Sequence, residues 1–268
     1  MNTKLLSIRR ALITGASAGI GEAFAREFAK NGFDLVLVAR RLKKLETIAA
    51  EIEKKYHIEV RLRPCDLFDK SAPENLYAAC LGLDIDVLVN NAGVMYHGNF
   101  SAQELANIDG IIQLNIASLT RLSSLFLQPM LQRNSGRILN ITSTTGFQAS
   151  PTIAVYAASK AYILSFTEAL AEELRGTGVH ATAFCPGSTD THMAVESFGE
   201  AVHSDPIASL LTMSTKDVAE ADFKACMKGD AVSVPGLANN IISSVNRMQP
   251  KWMNRRMRGY MYKKFLDK

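Results

Sequence analysis

The sequence predicts an α/β fold: a doubly wound parallel sheet of about seven strands with helices on both faces. Three observations lead there. The stretch Arg10-Ala11-Leu12-Ile13-Thr14-Gly15-Ala16-Ser17-Ala18-Gly19-Ile20-Gly21 reads as a short buried strand, a glycine turn and the start of an amphipathic helix, Glu22–Asn31. Phe33–Ala39 is apolar without alternation, as a strand buried on both faces reads. Strand patterns then alternate with helical ones, across connections too long for hairpins.

The remaining elements follow in order. Arg40 and Arg41 lead into a charged helix from Leu42 to about Tyr56. A third strand, Ile58–Pro64, ends at Cys65-Asp66-Leu67. Pro73–Leu81 reads as helix, and Asp86–Asn90 as a fourth strand that breaks at Asn91-Ala92-Gly93. A long helix from about Ala102 to Gln132 is expected to be interrupted near Gly110 and stopped after Pro129. Gly136 opens the strand Arg137–Thr142. The helix Val155–Arg175 stops at Gly176-Thr177-Gly178, and the strand Val179–Cys185 runs into Pro186-Gly187. Residues 188 to about 213 lack periodicity and are assigned to a substrate lid. Thr215–Lys228 is helical and Ala231–Val234 a last short strand. Residues 1–236 thus form a single domain, and 237–268 a basic amphipathic tail.

Composition narrows the function classes. With 268 residues, 47% hydrophobic and 21% charged, the chain has the material for a sizeable core. Its net charge of +4 is mild, and the first 235 residues present no basic face for nucleic acid. Cys65, Cys80, Cys185 and Cys226 are scattered without a CxxC pair, which argues against zinc and a disulfide framework and for a reducing compartment. His180, His192 and His203 share no ligand spacing, so no metal site is expected. No apolar segment precedes the first strand, and no apolar run is read as reaching the roughly 18 residues of a spanning helix. A soluble cytoplasmic protein is the expectation.

The chemistry gathers at the ends of the strands. Gly15, Gly19 and Gly21 permit a tight turn, close approach to a pyrophosphate and close helix–strand packing, with Ser17 and Ile20 beside them. The helix start would face the phosphates with unpaired N–H groups. Tyr156 and Lys160 lie four apart, on one helix face. An ammonium beside a phenol, helped by a positive nicotinamide ring, favours phenolate and lowers a pKa that is ordinarily near ~10, which suits a general acid or base. Tyr260 and Lys264 repeat the spacing, but only Tyr156 follows a serine, Ser143, at the end of a strand.

These motifs resemble the short-chain dehydrogenase/reductase family, a Rossmann-type group, over roughly Arg9 to Thr191 and more loosely to Gly236. Thr14–Gly21, Asn90-Asn-Ala-Gly93, Asn115, Ser143, Tyr156-x-x-x-Lys160 and Pro186-Gly187 with Thr189 and Thr191 match in order and spacing. The resemblance implies a tetrad in which Tyr156 transfers the proton and Ser143 binds the carbonyl oxygen. Lys160 would hold the nicotinamide ribose, and Asn115 a water of a proton relay. Pro186, Gly187, Thr189 and Thr191 would border the nicotinamide, Asp66 and Leu67 the adenine, and Asn90 the adenosine side. Where an acid would select NAD(H) by its ribose diol, this chain has Ala39 followed by Arg40 and Arg41, so NADP(H) is expected.

The activity that follows is interconversion of a carbonyl and a secondary alcohol, on a fairly apolar ketone, aldehyde or acyl compound. A non-catalytic dinucleotide sensor that binds partners is the alternative, and the complete tetrad speaks against it. A Rossmann-like methyltransferase would want an acid at Ala39. The family's habit is a homodimer or homotetramer. In the tail, Trp252, Met253, Met257, Met261 and Phe265 recur at helical spacing among Arg255, Arg256, Arg258, Lys263 and Lys264. Such a helix packs on its own domain or a partner subunit, or lies on an anionic membrane; the first reading is preferred.

Overall fold

A computed structural model of the chain describes residues 9–190 and 212–249, with positions 252, 253, 255, 256 and 259. In chain order the main elements are β1 (Arg10–Thr14), α1 (Gly19–Lys30), β2 (Asp34–Ala39), α2 (Leu42–Tyr56), β3 (Val60–Pro64) and α3 (Ala72–Ala79). They continue with β4 (Val87–Asn90), α4 (Leu105–Ile111), α5 (Leu119–Gln132), β5 (Gly136–Ile141), α6 (Ala154–Glu173) and β6 (Val179–Phe184). Last come α7 (Thr215–Lys228), β7 (Val232–Ser233) and α8 (Leu237–Met248).

The strands form one seven-stranded sheet in the order β3-β2-β1-β4-β5-β6-β7. Every neighbouring pair is parallel. Successive strand residues point to opposite faces, and both faces are covered. From β1, Ile13 joins Phe24 and Phe28 of α1, Leu45 and Ile52 of α2 and Val218 of α7 in one core. Leu12, its neighbour, joins Leu76 of α3, Leu122 and Phe126 of α5 and Leu170 of α6 in the other. The unalternating apolar strands of the sequence are explained by this double coverage.

The long helix differs from expectation in two ways. It starts at Leu105, because Phe100–Ala102 forms a separate 3-10 turn followed by extended backbone at Gln103 and Glu104. Gly110 does not interrupt it: the irregularity is a π-helical stretch, Ile112–Ser118, that joins α4 to α5. A Cβ at Gly110 would crowd the Phe68 ring at 3.1 Å, so this glycine serves packing. Contrary to the sequence reading, the run Leu105–Gln132 is long and apolar enough to cross a membrane, by length and composition alone. Half of its most apolar window is buried inside the fold. The four cysteines are free thiols. Most of the proposed lid, 191–211, lies outside the described residues, as do most positions beyond Gln249.

One buried group has no counterpart among the sequence expectations. Asp222 of α7 is fully buried, and neither carboxyl oxygen has a hydrogen-bond partner. Burial therefore pushes its pKa well above the ordinary carboxylate range. The carboxyl keeps its proton in the fold while the unfolded chain ionises above about pH 4, so its contribution to stability falls as pH rises. The slope is about 1.4 kcal/mol per pH unit until the folded carboxyl itself ionises. Asp222→Asn removes that slope. The thermal midpoint of the variant relative to wild type is expected to rise steadily from pH 4 to pH 7; a pH-independent difference would show that Asp222 is ionised in the fold.

Candidate active site

All strands run the same way, so their carboxyl ends meet at one edge and open into a single cleft of about 1020 Å³. Over β1 to β3 it is lined by Gly15, Ser17, Gly19, Ile20, Gly21, Arg40, Arg41, Asp66 and Leu67. Over β5 and β6 it is lined by Ser143, Tyr156, Lys160, Pro186, Gly187 and Thr189. Thr191 lies outside the described residues.

The glycine turn is shaped to admit a close ligand. Gly15 and Gly19 have φ of +68° and +57°, values that strain any other residue. A side chain at Gly21 would run into the Gly15 carbonyl oxygen. Helix α1 starts at Gly19, earlier than the expected Glu22, because the turn's last glycines are its first helical residues. Its N-cap, Ala18, makes no side-chain capping bond, which leaves the first-turn N–H groups facing the cleft. Thr14 fixes the turn from below. Its hydroxyl donates to the Val89 carbonyl at 3.2 Å and accepts from the N–H groups of Asn91 (3.0 Å) and Ala92 (3.1 Å). The Asn91 amide donates back to the Thr14 carbonyl at 2.9 Å.

Arg40 and Arg41 are both exposed at the cleft. Arg41 donates to the Ser17 hydroxyl at 3.1 Å, which ties the end of β2 to the glycine turn. Arg40 lies over the Phe68 ring at 5.4 Å. The first turn of α2 holds no acid. Two guanidinium groups at a helix start, with no acid to neutralise them, suit a phosphate monoester.

At the other end, Ser143 caps a 3-10 turn, Thr144–Phe147, and its oxygen accepts from the Thr145 N–H at 3.2 Å. It is also hydrogen-bonded to the Tyr156 hydroxyl. The hydroxyl of the preceding Thr142 donates to the Lys160 carbonyl at 2.7 Å. The Lys160 ammonium donates to the Ile141 carbonyl at 2.8 Å and lies 5.5 Å from the centre of the Tyr156 ring. Burial pushes the Tyr156 phenol up to about 12, and the Ser143 hydrogen bond opposes that rise. Burial also brings Lys160 down to about 8. Here the sequence expectation of a depressed phenol does not hold. Burial is the larger cause and only the Ser143 hydrogen bond acts against it, while a lysine at about 8 is still mostly an ammonium at pH 7. Tyr156 is only partly buried and opens onto the cleft.

Two expected site residues lie beneath the cleft. The Asn115 amide, on the π-helical stretch, donates to the Val94 carbonyl (3.0 Å) and to the Ser159 hydroxyl (3.1 Å). Its oxygen accepts from the Val94 N–H at 2.9 Å. Asn115 thus clamps the loop after β4 to α6 at Ser159, the residue next to Lys160. Asn90, assigned to the adenosine side, does not line the cleft. Its amide donates to Ser123 Oγ (3.0 Å) and Asn140 Oδ1 (2.9 Å), in a buried ladder that continues from Asn140 to Thr167 Oγ1 (2.9 Å). Asn91, the next residue, lines the cleft instead. The motif Asn90-Asn91-Ala92-Gly93 carried both, and only strand alternation separates them.

Comparison with known proteins agrees with this geometry. The family model described as short chain dehydrogenase matches residues 9–201. The human very-long-chain 3-oxoacyl-CoA reductase is 32% identical over 188 residues, 69% of this chain and 60% of that protein. The match therefore spans about three fifths of that relative's length. Among solved structures, one described for 7beta-hydroxysteroid dehydrogenase stereoselectivity superposes with a TM-score of 0.84 at 26% identity, covering 94% of this chain and 96% of that one. A short-chain dehydrogenase from Sphingobium yanoikuyae in complex with NADPH superposes with a TM-score of 0.81 at 28% identity, covering 95% and 96%.

The Asn115 clamp gives a stability prediction. Asn115→Ala strands the Val94 N–H and carbonyl and should cost about 1–3 kcal/mol. Urea unfolding of the variant is expected to show that loss; an unchanged midpoint would mean that the Val94 loop is held by other groups.

Proposed function

We propose that this chain, which belongs to the short-chain dehydrogenase family, is an NADP(H)-dependent oxidoreductase that interconverts a carbonyl and a secondary alcohol on a fairly apolar substrate. One observation carries the reading. A phenol hydrogen-bonded to a serine and one helical turn from a buried ammonium stands in the same cleft as the glycine turn.

The residues present fit a dinucleotide. A glycine cradle that a Cβ would fill and an uncapped helix start suit the pyrophosphate. Arg40 and Arg41 suit a 2′-phosphate, and no acid closes β2 to favour a free ribose diol. The NADPH-bound structural relative adds support. When bound, the cofactor supplies or accepts the hydride.

The chain's own groups handle the oxygen. In reduction, Ser143 and Tyr156 direct hydroxyl hydrogens at the substrate carbonyl oxygen. Tyr156 gives up its proton to that oxygen as the carbon gains two electrons. The Lys160 ammonium stabilises the phenolate left behind. A phenol that burial keeps protonated is the form reduction requires. In the oxidative direction the same groups act in reverse, with Tyr156 as base.

An apolar carbonyl substrate is supported by the relatives named for 3-oxoacyl-CoA and hydroxysteroids. The Ala-, Leu-, Met- and Phe-bearing stretch 188–213 agrees with it. A homodimer or homotetramer, paired through the long helices, completes the proposal.

Two substitutions test this. Tyr156→Phe should reduce carbonyl-dependent NADPH consumption by about 10²–10⁴-fold while NADPH binding, followed by fluorescence, stays near wild type. Retained turnover would remove Tyr156 from its role. The double change Arg40→Ala, Arg41→Ala should weaken NADPH by about tenfold or more with little effect on NADH. Equal losses for both would place the phosphate elsewhere.

A further inference from the structure

Helix α8 is amphipathic the wrong way round. Its large apolar side chains point outward: Leu237, Ile241 and Val245 are 80%, 55% and 46% exposed, Ile242 is exposed beside them, and Asn240 and Ser244 share that exposed surface. Its inward side chains are polar, with Asn239 and Ser243 at 7% and 3%. A helix that only covered its own domain would bury the isoleucines and show water the asparagine. The tail helix that the sequence suggests, on Trp252, Met253, Met257, Met261 and Phe265, lies mostly outside the described residues. Trp252, Met253, Arg255 and Arg256 are exposed as well.

Charge identifies what this face meets. Residues 237–268 carry eight basic side chains and one acidic one, although the whole chain is only +4. The remainder of the chain is therefore slightly negative, and the positive excess is confined to the segment that bears the exposed apolar helix. We propose that α8, with the exposed Arg255 and Arg256 after it, docks on an anionic lipid surface. The aliphatic ridge of α8 enters the interfacial layer, and Arg255 and Arg256 meet the lipid phosphates. An exposed tryptophan fits the same layer. A second copy of the chain is the poorer occupant. An isologous contact through α8 would bring two strongly positive segments together, where like charges repel.

The docked helix also touches the cleft. A side chain at Gly187, which lines the cleft, would come within 2.6 Å of the Asn239 side chain on the inner face of α8. The lipid-facing surface is thus one residue away from the wall that borders the substrate. This inference stands on α8 and its charge, and does not depend on the proposed chemistry.

The test is co-flotation of the full chain with vesicles of phosphatidylcholine alone or with added phosphatidylserine, at low and high salt. Wild type is expected to float with the phosphatidylserine vesicles at low salt, and to be released by salt and by omission of the anionic lipid. The Ile241→Ser, Val245→Ser double variant should bind at least about tenfold more weakly at an unchanged thermal midpoint. If those serines lower the midpoint, Arg255→Ala, Arg256→Ala, at exposed positions, should show the same weakening. Wild type that stays soluble with both vesicles, or variants that float as well as wild type, would overturn the proposal. So would a dimer, seen by light scattering, that the serine variant dissociates while lipid binding is absent.

Discussion

Seven strands running in one direction impose a single constraint: every carboxyl end arrives at the same edge. Thr14, Asn91, Ser143 and Pro186 are far apart in sequence and become neighbours only because the strands before them share a direction. The helices on the two faces make that possible, since parallel neighbours need a crossover each. Double coverage in turn demands strands that are apolar on both sides, which is what Phe33–Ala39 shows. Function and fold therefore read from the same residues, with apolar bodies for the core and polar ends for the cleft.

Polar groups at that edge are bonded to one another as much as they are open to a ligand. The Thr14 hydroxyl serves three backbone groups at once. The Asn115 amide serves the Val94 loop and Ser159, and the Lys160 ammonium is anchored on the Ile141 carbonyl. Such bonds hold Tyr156, Ser143 and Lys160 in place before any substrate arrives. They also engage the Asn115 side chain in holding together the Val94 loop and the helix that carries Tyr156 and Lys160. Below them, the ladder Asn90–Asn140–Thr167 stitches β4, β5 and α6 across the middle of the molecule.

Much of this was legible in the sequence. The parallel sheet with helices on both faces and the glycine turn fell where their patterns pointed, and Ser143, Tyr156 and Lys160 line one cleft, because each pattern depends on local spacing. What escaped depends on neighbours. Gly110 looks like a helix breaker, yet its backbone is helical and its missing Cβ makes room for Phe68. The π-helical stretch two residues later is held by the bonds of Asn115 to a loop and another helix, and no local propensity encodes those. Asn90 and Asn91 differ by one step of a pleat, which sends one amide into the core and the other to the cleft. The burial of Asp222, and the polar inner face of α8, depend on what packs against them and not on their own sequence.

The place of β1 has a consequence for biosynthesis. One of its partners, β2, follows almost at once, but the other is β4, and the bond from the Arg10 N–H to the Asp86 carboxylate spans 76 residues. As the nascent chain leaves the ribosome, β1 to β3 can pair while the inner flank of β1 stays open, a row of unmet amides on a strongly apolar ribbon. Until Val87–Asn90 emerges, that flank is the point at which a chaperone, or another unfinished chain, would find purchase.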